Sequence, residues 1–496
     1  MSLEGKRACV IGAGFGGLAL AIRLQAAGVA VTLVEARDKA GGCAGSWPRE
    51  GFTFEAGPTV IADPAGLREL WAITGHDIAA DVELMPVEPL WRLSWPDGTT
   101  LDWSNDPTAL RREIARLDPA DIAGYDAFLD YAAAVRRDGC AGFGAAPFLT
   151  PGSLARAAPA LVRHQAWRSV FSTVSRFVRD ARLRQALSVR TLLAGGNPLT
   201  ASGLHAPLHA PEPDGGVWWP RGGTGRLVAG MVRQLERLGG EVRLGDPVAA
   251  IETMGIRATE VETRGGWRAR FDAVASNADI VHTYRDLLRS PRGPQIGRRL
   301  ARKRFSASLF AVHFGIEGSW PGIPHHMTLF GPRYEELLGD IFERGVLPAD
   351  PLIFLHHPTV TDPSTAPEGK SAFSALVAVP HLGKLAVDWR QVGPLLERRV
   401  LAEIERRLIP DLADRIVTKF HYTPRDLAHE LGAHLGSAFS LEPTLTQSAW
   451  FRGHNRDAVI GNLYLVGAGT HPGAGVPGVL AGARATAGLM LEDLAR

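Results

Sequence analysis

Apolar runs and alternations divide this chain into readable elements. Ala8–Ile11 is a short uncharged run, as expected of a strand buried on both faces of a parallel sheet. Leu18–Gln25 has helical spacing, and Ala30–Val34 is a second apolar run that ends on Glu35. Val82–Trp103 alternates apolar and polar residues around Pro96-Asp97-Gly98, which predicts a β-hairpin. Asp106–Arg190 is mostly helical in period. A helix over Leu227–Leu238 precedes strands at Glu241–Leu244, Val248–Glu252 and Ala273–Ala278. Strand patterns at Leu309–Phe314, Leu352–Leu355 and Ala372–Val379 lead to a helix over Val392–Leu408. The chain closes with a strand, Asn462–Val466, and a helix, Val479–Leu489. These elements predict an α/β protein with a Rossmann-like nucleotide-binding domain and a discontinuous, mixed α+β substrate domain. The expected division gives residues 1–80, 215–294 and 441–496 to the nucleotide domain. Residues 81–214 and 295–440 go to the other, with 81–214 expected also to associate with a membrane.

The turns between the first elements carry chemistry. Gly12, Gly14 and Gly17 form G-x-G-x-x-G between strand and helix, and Glu35 ends the next strand. Gly12 permits a tight turn, Gly14 lets backbone approach a pyrophosphate, and Gly17 lets helix and strand pack closely. The helix N-terminus offers unpaired N–H groups to that phosphate. Glu35 is placed to accept from ribose hydroxyls, favouring an adenosine with a free 2′-OH. A second lining segment follows with Arg37, Gly41 and Gly42, and a third turn with Gly57, Pro58 and Thr59. Nicotinamide enzymes seldom need such lining so close behind the first strand pair, so the pattern favours FAD. It matches the flavin-dependent amine oxidase superfamily, whose architecture implies a backbone segment near Val248 bracing the adenine. Near the C-terminus, Gly467–Gly478 is a glycine-rich turn between strand and helix. Gly469, Thr470, Pro477, Gly478 and Val479 are expected there against the flavin's N1–O2 edge, where the helix dipole favours negative charge.

Composition narrows the class further. The formal net charge is only +2, so the whole molecule carries no nucleic-acid signature. Three widely spaced cysteines give neither a metal pattern nor a disulfide framework, which fits a reducing cytosol. Lys6-Arg7 before apolar residues imitates a signal peptide, but cleavage there would destroy the glycine fingerprint. No uncharged apolar run reaches the length of a membrane span. Ser153–Arg190, however, holds eight arginines against one acid, Asp180, with apolar stripes between them. A basic amphipathic stretch of this kind predicts peripheral binding to an anionic membrane surface.

Four stretches together carry a more specific likeness. These are the opening fingerprint through Phe52–Thr59, Trp218–Gly225, Ala275–Asp279, and Gln447–Arg452 with Gly469–Gly473. Nearly end to end, the chain resembles the bacterial and fungal phytoene desaturases. The resemblance implies noncovalent FAD, a long hydrophobic polyene substrate drawn from a membrane, and a quinone or oxygen as electron acceptor. It implies desaturation of phytoene toward neurosporene or lycopene by a cytoplasmic enzyme on the membrane surface. Two positions depart from the family pattern. Cys43 stands where many relatives carry a pyrophosphate-binding Arg, a variant more familiar from carotenoid-isomerase-like relatives. Ser153 stands where some desaturases have an acid, while Arg156 remains as the candidate catalytic residue.

Desaturation beside a conjugated triene needs a hydride acceptor and loss of a neighbouring proton, so alignment and exclusion of water are the protein's main tasks. No metal is expected. His325-His326 and His356-His357 are adjacent pairs, and neighbours on a strand point to opposite faces. The competing readings are a carotene cis–trans isomerase, a desaturase of C30 or of hydroxylated or methoxylated C40 carotenoids, and a non-enzymatic carotenoid-binding flavoprotein.

Overall fold

The computed structural model describes residues 3–57, 59–138, 149, 151–210 and 216–496. A five-stranded parallel sheet runs in the order Leu463–Leu465, Ala273–Ser276, Arg7–Ile11, Ala30–Val34 and Glu241–Arg243. Its central strand is buried from Ala8 to Ile11, which is why it reads as an unbroken apolar run. The helix Phe15–Ala26 packs between that sheet and the helices Thr224–Arg237 and Val476–Leu494. It is buried nearly all round, and Gln25 ties its end to the carbonyl of Leu238 and the N–H of Val31. A small sheet of Val248–Met254, Arg257–Thr263, Arg268–Arg270 and Leu288–Arg289 flanks it.

The second large sheet has seven strands. In order they are Ile416–Tyr422, Ser308–Glu317, Lys370–Val379, Ile353–His356, His326–Leu329, Trp91–Ser94 and Thr100–Trp103. The expected hairpin around Pro96–Gly98 forms, but only from Trp91 onward. Leu84–Val87 pairs instead with Val217–Pro220, so the tryptophan-rich strand joins neither large sheet. Register in the seven-stranded sheet sets one row of residues side by side. His326 faces His356, which faces Ser374, which faces His313, which faces Phe420.

The basic stretch Ser153–Arg190 is not one amphipathic helix. It divides into Pro151–Arg163, Val170–Val174 and Ala181–Val189. Asp180 causes one break, because its carboxylate accepts from the N–H groups of Arg182 and Leu183 and starts a new helix. Val170, Val174, Val178 and Leu183 are core residues, packed with Phe128 and Trp103. Several of the arginines are engaged: Arg163 with Asp138, and Arg182 with Asp97 and Asp180. What stays outside is the face of Pro151–Arg163 with Val162, and Trp167 just beyond it at 63% exposure. Among the described residues no helix is long and apolar enough to cross a membrane.

Candidate functional site

Three glycine turns interlock at the end of the parallel sheet. Gly12 has φ +95°, and its N–H donates to the carbonyl of Val34 at 2.7 Å. A Cβ on Gly17 would overlap the carbonyl oxygen of Gly12, so the helix sits directly on the turn. Gly41, at φ +118°, donates to the carbonyl of Ala13 at 2.8 Å and forms a bridge with Gly14. A Cβ on Gly57 would overlap the carbonyl oxygen of Cys43. Backbone packs on backbone here, and only hydrogen side chains leave that possible. Around Gly14 the obstacle is softer, since its Cβ would stand 2.9 Å from the Asn277 side-chain amide.

Glu35 is buried. One of its oxygens accepts from the N–H of Ala13 at 2.7 Å and the other from that of Arg37 at 3.0 Å. Each carboxylate oxygen keeps a second lone pair for a sugar hydroxyl. Arg37 donates to the carbonyl of Gly42 at 3.2 Å, and so stiffens the second turn. The carbonyl of Glu35 holds the N–H of Asp246, which brings Pro247 and Val248 to the same cavity. Opposite, the helix Val476–Leu494 begins three residues earlier than the expected Val479. Gly475 at φ +89° precedes it and no side chain caps it, so its first N–H groups stay available.

These segments line one cavity of about 1100 Å³. Of the cofactor residues read from sequence, it is lined by Gly12, Gly14, Glu35, Arg37, Gly41, Gly42, Gly57, Thr59, Val248, Pro477, Gly478 and Val479. Pro58 lies outside the described residues. Gly17 is a packing residue under the helix and not part of the wall. Gly469 and Thr470 correct the expectation: neither lines the cavity. A Cβ on Gly469 would press on Ile280, and the Thr470 hydroxyl folds back to the carbonyl of Gly467 at 2.9 Å. Gly467, Ala468 and the run from Pro472 form the wall in their place. Arg156 is also corrected, because it is exposed on Pro151–Arg163 and neither it nor Ser153 lines the cavity.

Away from the glycine turns the cavity extends over the seven-stranded sheet. Trp91, Phe354, Leu355, Leu376 and Ala378 form that wall, and Leu192, Leu193, Leu204 and Leu208 close it from the helical side. The wall carboxylates are engaged or exposed. Glu35 holds the first turn, Asp63 and Asp279 cap helices through the N–H groups of Gly66 and Val281 at 2.8 Å each, and Glu430 is exposed. Two features escaped the sequence reading. Arg452 is 4% exposed and its guanidinium donates to the carbonyls of Ala468 (2.6 Å), Thr470 (3.1 Å) and Leu441 (3.2 Å). Burial pulls its pKa down to about 10, so it stays a cation beside Gly473. Its signal lay in Gln447–Arg452, which served only as a family mark.

The second feature is a histidine group. The expectation that adjacent histidines diverge fails here, because His325 lies just before the strand His326–Leu329 and its ring stays 4.6 Å from that of His326, while strand pairing adds His356. Ring nitrogens from all three lie within 4.8 Å of one another. His325 Nε2 meets His356 Nε2 at 3.1 Å, and His325 Nδ1 meets the Thr361 hydroxyl at 2.8 Å. His326 Nε2 meets the hydroxyl of Thr59 at 3.2 Å, and its ring stacks on Trp91. His326 and His356 both line the cavity. Burial lowers all three pKa values, that of His326 to about 4, and neighbouring imidazoles lower His325 and His356 further.

The profile of the flavin containing amine oxidoreductases matches residues 15–491. Over 99% of this chain and 98% of the other, 54% of residues are identical to a lycopene-forming phytoene desaturase of Paracoccus sp. (strain N81106 / MBIC 01143). A neurosporene-forming phytoene desaturase of Cereibacter sphaeroides is 39% identical over 98% of this chain and 95% of its own. This chain belongs to the phytoene desaturase family. It is a flavin-type oxidoreductase with the amine-oxidase-superfamily fold. A solved cyclohexylamine oxidase from Brevibacterium oxydans shares that fold, with a TM-score of 0.63 and 18% identity over 99% of this chain and 100% of the other. A flavin fits the residues present. The glycine cradle is a groove that Cβ atoms would fill, and the Arg452 cation and a helix N-terminus line the same space.

Proposed function

We propose that the protein binds FAD noncovalently and desaturates phytoene, with lycopene rather than neurosporene as the end product. The supporting observation is one apolar cavity that continues from the glycine cradle across the seven-stranded sheet, in a chain of this ancestry. Glu35 would hold the adenosine ribose, the N–H groups behind Gly14 the pyrophosphate, and Val248 the adenine side. Bound flavin supplies a hydride acceptor. The chain's own residues align the polyene and exclude water, which raises the weight of every fixed dipole and charge in the site. Arg452 and the first turn of Val476–Leu494 oppose the negative charge that gathers at this end during reduction.

The acceptor that reoxidises the site is a quinone or oxygen. The protein works on the cytoplasmic membrane surface, held through the exposed face around Val162 and Trp167. Expression beside a phytoene-producing pathway tests the reading, with lycopene the expected pigment. Isomerised phytoene with no net consumption of acceptor would assign the protein to carotene isomerisation. Unchanged phytoene with flavin retained would leave only binding.

A further inference from the structure

The desaturase chemistry leaves one partner without a place: a base for the proton that follows the hydride. Where the sequence pattern pointed, the structure offers Ser153 and Arg156, and neither reaches the cavity. Among the described residues, the wall carboxylates are engaged or exposed. His356 lines the cavity, is 2% exposed, and its Nδ1 has no hydrogen-bond partner.

Its other nitrogen couples its protonation to that of His325. Only one hydrogen fits between His356 Nε2 and His325 Nε2. If it belongs to His356, the hydrogen of His325 sits on Nδ1 and is donated to the Thr361 hydroxyl, and His356 Nδ1 carries a bare lone pair. That tautomer set satisfies every contact of the His356–His325–Thr361 chain. Thr361 is half-buried, so the chain runs from the cavity wall toward solvent. His326 faces His356 in register and bonds Thr59, on the third glycine turn. This places the histidines beside the flavin end of the cavity.

We propose that His356 Nδ1 is the catalytic proton acceptor of this enzyme and that His325 relays the proton to Thr361. The inference rests on the desaturase reading. The substrate loses a hydride from one carbon to the flavin. The adjacent C–H bond then breaks toward His356 Nδ1, and its electron pair becomes the new C=C bond. The His356 Nε2 hydrogen moves to His325 Nε2, the His325 Nδ1 hydrogen moves to the Thr361 oxygen, and the hydroxyl hydrogen that Thr361 held passes to solvent. A weakly basic imidazole suffices, because the allylic cation left after hydride loss is a strong acid. Burial keeps the ring neutral and able to accept. The polyene is oxidised, the flavin is reduced, and one proton leaves.

The test follows loss of oxidised-flavin absorbance anaerobically, with the FAD-loaded full chain on phosphatidylcholine vesicles carrying phytoene. We expect His356→Ala to bleach roughly 100-fold slower than wild type, with flavin content unchanged. Free imidazole should restore much of the lost rate by entering the space the ring vacates, which a purely structural defect would not allow. His325→Gln should slow bleaching by about tenfold, within what one proton-transfer partner is worth. Bleaching by His356→Ala within threefold of wild type would overturn the proposal, and so would a slow variant that imidazole leaves slow. If His356→Ala loses its flavin, His356→Gln keeps the volume and decides the matter, with a normal rate overturning the assignment. Stoichiometric zinc, copper or nickel whose removal alone abolishes bleaching would overturn it in favour of a metal centre. A wild type that does not bleach with phytoene overturns the desaturase reading and this inference together.

Discussion

The glycine cradle and the histidine row are built on opposite principles. In the cradle, backbone meets backbone: Gly17 against Gly12, Gly57 against Cys43, Gly41 beside Gly14. Its specificity lies in what the side chains lack, and the residues concerned follow one another closely in sequence. The seven-stranded sheet works through side chains that different strands bring together. His326 and His356 are 30 positions apart and meet only because their strands pair in that register. A site built on missing side chains tolerates no addition, whereas one built on side chains fails by losing a particular atom.

The largest effect should separate two glycines within the cradle. Gly17→Val forces a branched side chain into the Gly12 carbonyl, so the helix must leave the sheet and the protein should fail to accumulate in soluble form. Gly14→Val meets only the movable amide of Asn277, so the protein should fold yet carry no flavin. The flavin-to-protein absorbance ratio of purified material reads both. A folded Gly14→Val protein with full flavin would remove the pyrophosphate from this turn.

A smaller effect belongs to Arg452. Among the described residues the buried Arg452 guanidinium is bonded only to carbonyls, which is costly to keep, so Arg452→Met should leave the flavin-free protein equally or more stable. The same change removes a cation from the cavity wall, and flavin should bind about tenfold more weakly, the order of one charge-assisted contact. Thermal midpoints with and without added FAD separate the two. A destabilised flavin-free protein with unchanged FAD affinity would make Arg452 a packing residue only.

The cradle was legible in sequence because glycine spacing, terminal acid and strand–helix order are local. The row was not, because antiparallel register between distant strands has no local signature. Reading His325-His326 along a single strand gave the wrong neighbours. Gly469 and Thr470 failed for a related reason. Their motif is real, but the chain dips beneath Gly453 there, and the next glycines reach the cavity. Arg156 keeps its place in a familiar pattern but stands exposed, away from the cavity wall. The helical period was readable over the described residues of Asp106–Arg190, while the breaks at Asp180 and Ser169 depended on caps hidden among charged residues.

Acid should distinguish the two regions next. His205, His326 and His357 are held to pKa values of about 4, and His313 to about 3, by burial. An unfolded histidine titrates near 6.5. Between that value and the folded ones the unfolded chain binds more protons, so stability is full above about pH 6.5 and falls as pH drops toward 4. Glu55 runs the other way. Its folded pKa, raised to about 8 by burial, gives stability that is present below its unfolded value and lost as pH rises through 8. Hydrogen exchange at pH 5 should therefore open the seven-stranded sheet before the parallel one. His313→Phe should soften the acid loss, and an unchanged slope would mean that other groups set it.

The smallest effect should fall outside both regions, at Arg156. It is exposed on Pro151–Arg163 and absent from the cavity wall, so it cannot orient a polyene bound there. Arg156→Ala should therefore leave turnover of detergent-dispersed phytoene within twofold of wild type, as should Ser153→Ala. If the Val162 and Trp167 face meets a bilayer, each nearby cation contributes about 1 kcal/mol at an anionic surface, roughly fivefold in partitioning. Flotation of Arg156→Ala with anionic vesicles at low salt should fall by about that factor, and the difference should vanish at high salt or on neutral vesicles. Trp167→Ala should weaken flotation on both vesicle types, because its loss is one of apolar burial rather than charge. A tenfold loss of turnover in Arg156→Ala, with flotation unchanged, would reverse this assignment and return the arginine to the substrate path.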